Sequence, residues 1–178
     1  MNRIATLVEW FLNPPDTAPP ATILVRLMAG SVFFWEGVMK FVFPATLGVG
    51  RFTKIGIPAP EFMSAFVGVV EIVGGTLLMA GLLTRLAAAP LLIDMVVAMV
   101  TTKIPVFLGT SPLPLPPVAP QVGFWAVLHE IRSDEAQFLC SLFLLAVGAG
   151  PLALDALLAR RRARAHEQVR LVAGSAHA

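Results

Sequence analysis

Long apolar runs broken by short polar, proline-bearing stretches dominate the chain. A bilayer-spanning helix needs about 20 mainly apolar residues. Four windows approach that length: 21–43 after Pro19-Pro20, 62–83 after Pro58 and Pro60, 84–103 closed by Pro105, and 135–150. Pro151 either kinks the fourth run or stops it. If it stops, that span is short and Leu152 to Arg164 is a separate interfacial piece. Ahead of the first run, Ile4, Leu7, Val8, Phe11 and Leu12 keep a helical stripe. With no long apolar stretch and no cleavage site, residues 3–12 read as an amphipathic helix on the membrane surface, not a signal peptide.

Each run carries one face of small or polar residues, as helix packing in lipid requires. At about 100° per residue, Arg26, Gly30, Phe33, Gly37 and Lys40 fall within a wedge of about 80°. Ser64, Gly68, Glu71 and Gly75 share a face of the second run. Ala87, Pro90, Asp94, Ala98 and Thr101 share one in the third, and Gln137, Ser141 and Gly148 in the fourth. The expected fold is an all-α integral membrane four-helix bundle with a short N-terminal amphipathic helix and a basic cytoplasmic tail. The membrane domain is expected over 1–158 and the tail over 159–178.

Composition agrees. Of 178 residues, 57% are hydrophobic and 13% charged, against roughly 25% charged in a soluble domain. Arg3, Arg26, Arg85, Arg160, Arg161, Arg162, Arg164 and Arg170 gather on one side of the spans, and fewer basic residues on the other. The richer side is expected in the cytoplasm, with both termini. The arginine cluster reads as an anchor beside anionic lipid, not a nucleic-acid site. His129, Glu130, Asp134 and Glu135 then face outside. The proline-rich segment 112–120 reads as a stiff extended spacer, and 121–132 as a short surface helix anchored by Trp125.

Charge inside the spans raises the question of function. Glu36, Lys40, Glu71 and Asp94 lie within them, and a charge at mid-bilayer costs about 2.5–3.5 kcal/mol on insertion scales. Glu71 and Asp94 are central, so both are expected inside the bundle, lining one proton-active or polar-ligand site. The competing reading is a set of buried polar clips that fix helix register. Glu36 and Lys40 are spaced for an i, i+4 ion pair, which reads equally as a local pair near the outer boundary or as part of that site. Arg26 is the further candidate. Burial disfavours a charged carboxyl, so at least one acid is expected neutral unless Arg26 or Arg85 reaches inward. No metal site is expected: His129 has no ligand partner at a suitable spacing, and Cys140 reads as a packing residue. Phosphate loops, nucleophile elbows and triads are missing from the sequence, and catalytic residues stay unknown.

Several landmarks together resemble the DoxX family of small bacterial membrane proteins. They are Arg26-Leu-Met-Ala-Gly30, Phe34-Trp-Glu-Gly-Val-Met-Lys-Phe41, Gly56-Ile-Pro58, Glu71-Ile-Val-Gly-Gly75 and Gly81-Leu-Leu-Thr-Arg85. Asp94, Glu135, Gly150-Pro151 and Leu154-Asp155 follow in order, so the likeness covers about 24–158. The Pro112–Pro120 insertion and the long basic tail depart from it. The resemblance implies a four-span inner-membrane protein in a redox assembly, such as a thiosulfate:quinone oxidoreductase or a quinol oxidase. Other members resemble scaffolds joining superoxide dismutase to a sulfur transferase in oxidative-stress defence. Two functions follow as expectations. One is a quinone-linked accessory subunit relaying protons through Glu71 and Asp94. The other is a non-catalytic scaffold recruiting a soluble redox enzyme. A transporter is disfavoured, since inverted repeats and broken spans are not evident. Quinone is the cofactor implied, the lipid bilayer is the first partner, and an oligomer is left open.

Overall fold

The computed structural model describes residues 10, 18–115, 117 and 120–161. In chain order its helices are α1 (Thr22–Val42), α2 (Val49–Lys54), α3 (Pro60–Ala80) and α4 (Thr84–Ala98). A π-helical turn (Met99–Lys103), α5 (Ile104–Leu108), α6 (Phe124–Glu130) and α7 (Arg132–Val147) follow. Residues 154–161 are also helical, and no strand occurs among the described residues.

Three helical stretches are long and apolar enough to cross a bilayer: α1, α3, and the continuous run Thr84–Leu108. The last corrects the expectation that Pro105 closes the third span. Proline lacks an N–H and would strand a carbonyl one turn back. Here the π turn precedes it, and two threonines answer nearby carbonyls. Thr101 Oγ1 donates to Val97 O at 2.8 Å and Thr102 Oγ1 to Ala98 O at 2.7 Å. A local π adjustment of this kind lets a helix carry proline inside a membrane.

The run expected as a fourth span falls on α7, which has 16 residues, about 24 Å at 1.5 Å per residue against a hydrocarbon core of about 30 Å. It ends before Pro151, at Gly148 with φ of 91°. The backbone therefore stops the helix instead of kinking it. Of the amphipathic helix expected over 3–12, only Trp10 lies within the described residues. Most of the tail, Arg162 and Arg164 included, lies outside them, as do parts of the proline-rich segment.

α1 and α3 run antiparallel and pack most closely of all. A Cβ on Gly30 would stand 2.7 Å from Gly75 O, and one on Gly37 would stand 2.6 Å from Gly68 O. The two helices thus meet backbone to backbone at two levels. Elsewhere α5's predecessor α4 packs on α7 and on α3. Phe33, Leu78, Ala88, Leu91 and Leu144 form the apolar centre, with Cys140 packed against it. Leucine, valine, isoleucine and phenylalanine face outward, including Leu24, Phe66, Ile93 and Leu139. Exposed apolar surface on this scale belongs in lipid.

Candidate functional site

The glycine contacts bring Lys40 and Glu71 together. Helical side chains lean toward their own N-terminus. In antiparallel helices, Lys40 on α1 and Glu71 on α3 therefore lean toward one level, that of Gly37 and Gly68. Lys40 Nζ lies 2.6 Å from Glu71 Oε2, with side chains 11% and 3% exposed. Of the two readings of Glu36 and Lys40, the local pair is corrected: the lysine crosses to the neighbouring helix, and Glu36 stays exposed on α1. A carboxylate in the bundle offers a desolvated lysine a stronger partner than one at the lipid-facing edge.

Asp94 on α4 approaches within hydrogen-bonding reach of the Glu71 carboxyl. Glu36, Lys40, Glu71 and Asp94 all line one cavity of about 320 Å³. Its floor is apolar, from Phe33 and Met95, and its far end is polar, from Arg51 on α2 and Lys103 at the end of the π turn. A π turn is wider than an α turn and recurs at functional sites. This one turns Thr101, Thr102 and Lys103 to the cavity. Asp134, grouped from the sequence with residues facing outside, enters the wall and pairs with Lys103 at 3.2 Å. Gln137 of α7 completes it. A smaller cavity of about 280 Å³ adjoins, sharing Arg51, Thr102 and Lys103.

Arg26 does not join this group. It is buried at the other end of α1, 14 residues before Lys40 and so about 21 Å along the axis. Its guanidinium donates to Leu78 O (3.0 Å), Met79 O (2.9 Å), Ala149 O (2.9 Å) and Leu152 O (2.8 Å). These carbonyls include the C-terminal end of α3, where a helix leaves acceptors unpaired and favours positive charge. Arg26 is a clamp on the turn region, not a member of the site. Arg85 acts alike: it donates to Ala146 O at 2.8 Å and Trp10 O at 2.9 Å, and its guanidinium stacks 3.9 Å from the Trp10 ring. Neither arginine neutralises the cavity acids. Asp155 holds the α3–α4 turn from below, accepting from Leu83 N at 3.1 Å and Thr84 N at 3.4 Å.

Arg51, Lys103, Asp134 and Gln137 were absent from the sequence-derived site. Gln137 alone gave a signal, as the polar member of the face it shares with Ser141. Arg51 and Asp134 lie in the end turns of their helices and Lys103 in the π turn, where α-helical periodicity says nothing about direction. His129 sits at the surface, 3.3 Å from Glu130. Among the described residues no group of three or more histidine, cysteine, aspartate or glutamate side chains converges on a metal position.

Apolar helices that enclose an ionisable cluster define a polytopic membrane protein with a buried polar centre. The chain belongs to the DoxX family, whose pattern matches residues 21–104 and so takes in Glu36, Lys40, Glu71 and Asp94. It is 47% identical over 148 residues to "Uncharacterized membrane protein Rv3486" of Mycobacterium tuberculosis, covering 80% of this chain and 84% of that one. It is 32% identical over 135 residues to "Putative oxidoreductase CatD" of Bacillus subtilis, covering 75% of this chain and 84% of the other. No solved structure matches.

Proposed function

We propose that this chain is an inner-membrane subunit of a redox assembly and that its cavity binds the head of a quinone. The observation that carries this reading is the Lys40–Glu71–Asp94 cluster, sunk between apolar helices and lining a cavity. Ionisable groups so placed are expensive, and protein–ligand chemistry is the usual return. About 320 Å³ lies within the range of small-ligand sites. An apolar floor with convergent polar groups suits a flat ring carrying two polar oxygens. The oxidoreductase naming of the Bacillus relative supports the redox setting.

A quinone would supply a two-electron, two-proton couple, its electrons exchanged with a partner redox protein. The chain's own part is protonic. Glu71 and Asp94, within reach of one another, can hold one proton between them. Lys40 keeps Glu71 oriented and offsets its charge. A carboxyl so held can give a proton to a ring oxygen or take one away. Thr101, Thr102 and the Arg51–Lys103 end provide polar groups toward water.

We place the protein in the bacterial inner membrane with four crossings and both termini cytoplasmic. α7 serves as the short fourth crossing, and the Arg26–Arg85 end faces the cytoplasm. The arginine excess at that end supports this orientation, and the cavity then opens toward the outer side.

The test compares wild type with the Glu71→Gln, Asp94→Asn double variant. Amides keep hydrogen bonding but release no proton in the working range. The expected result is an unchanged monodisperse yield in mild detergent, with quinone-linked activity in membranes falling at least tenfold. Wild-type activity in the double variant would overturn the proton role. A soluble redox enzyme co-purifying in stoichiometric amount without quinone would favour the scaffold function.

A further inference from the structure

Gln137 is 6% exposed and lines the cavity, yet its Oε1 has no hydrogen-bond partner among the described residues. Its Nε2 reaches only Met28 Sδ, at 3.5 Å, and thioether sulfur is a weak acceptor. A buried amide left this short of partners costs on the order of 1–3 kcal/mol. The lost bonds are recovered if a ligand supplies them.

The surroundings of Gln137 show how a ligand arrives. α1 packs tightly on α3 through its glycines but only sparsely on α7. Along that loose seam, Val32 and Glu36 of α1 line the cavity and are themselves exposed. Val32 lies one turn beyond Met28 on the same face, and is 37% exposed. The cavity wall between α1 and α7 is therefore reached from the lipid side.

We infer that the cavity is entered sideways from the bilayer between α1 and α7, and that Gln137 binds the polar head of an amphiphile whose apolar tail lies in the seam beside Val32. The inference rests on the quinone reading and adds a route and a binding residue to it. The Gln137 amide can accept from a ring hydroxyl or donate to a ring carbonyl, so it serves both redox forms. A tail lying between α1 and α7 stays in hydrocarbon, and only the head is desolvated against protein.

The experiment measures equilibrium binding to the full chain in nanodiscs of one phosphatidylcholine composition. The two probes are an isoprenoid-tailed quinone and its tailless methyl analogue. Val32→Trp narrows the seam from a lipid-facing position; Gln137→Leu removes the amide at similar volume. Val32→Trp is expected to weaken the tailed probe at least tenfold and the tailless one less than twofold. Gln137→Leu is expected to weaken both at least fivefold. Unchanged tailed-probe binding in Val32→Trp, or equal loss of both probes, overturns the lateral route while leaving quinone binding intact. Unchanged binding in Gln137→Leu removes its assigned role. Failure of wild type to bind either probe overturns the quinone reading itself and the inference with it. Circular dichroism and size-exclusion profiles matching wild type certify each variant as folded, and Gln137→Met, which also lacks the amide, repeats the test should the leucine variant aggregate.

Discussion

Lys40 and Glu71 tie α1 to α3 through an ion pair 2.6 Å long, at the level where Gly37 meets Gly68. The glycines bring the helices close enough for the pair, and the pair satisfies two groups that the bilayer would otherwise leave unpartnered.

Breaking that pair from one side is expected to be damaging. Lys40→Met leaves a carboxyl with its main partner gone, and losing one member of a buried pair costs about 3–5 kcal/mol. Lys40→Met with Glu71→Leu should recover most of that loss, because neither charge then remains. Unfolding in mixed micelles checks this; a double variant no more stable than the single one contradicts it.

The two neighbouring glycines of α3 should behave differently. A Cβ on Gly75 meets Gly30 O at 2.5 Å, which is backbone. One on Gly74 meets Leu91 side-chain atoms at 3.0 Å and beyond, and these can shift. Gly75→Ala is therefore expected to cost about 1–3 kcal/mol, the usual penalty of overpacking, and Gly74→Ala clearly less. Thermal stability in detergent decides, and equal tolerance would argue against the seam.

Asp155 caps α4 from a distant part of the chain. Asp155→Ala should cost about 0.5–2 kcal/mol, as lost helix caps do, with quinone-probe affinity unchanged. Asp155→Asn, still able to accept, should cost less. A binding defect equal to that of Gln137→Leu would show that this end and the cavity are coupled.

Topology has its own measurement. A reporter fused after Ala178 is expected to be cytoplasmic, and one inserted within 112–120 external. An external reading for the tail reporter would reverse the orientation and turn the cavity toward the cytoplasm.

Three of the spans were legible in the sequence because apolar length and small-residue faces are one-dimensional properties. Gly30, Gly37, Gly68 and Gly75 stood on the right faces, and Glu71 and Asp94 stood out by their cost in lipid. Which lysine pairs with which acid was not legible. Helical spacing favoured Glu36 for Lys40, and only the antiparallel register of α1 against α3 selects Glu71. Arg26 misled for another reason. It shares a wedge with Lys40, but the 14 residues between them already set about 21 Å of depth, and at its own level Arg26 meets the carbonyls at the end of α3. Pro105 reads as a stop in any one-dimensional rule; its tolerance goes with the π turn that precedes it.

The π turn at Met99–Lys103 has a further consequence. A π turn holds one residue more than the α-helix it interrupts. Were the same five residues wound as α-helix, everything beyond them would be rotated by about 100°. Lys103 would swing away from Asp134, and the cavity would lose its cationic rim with no residue changed. The winding of this one turn sets the charge that the cavity presents to whatever enters it.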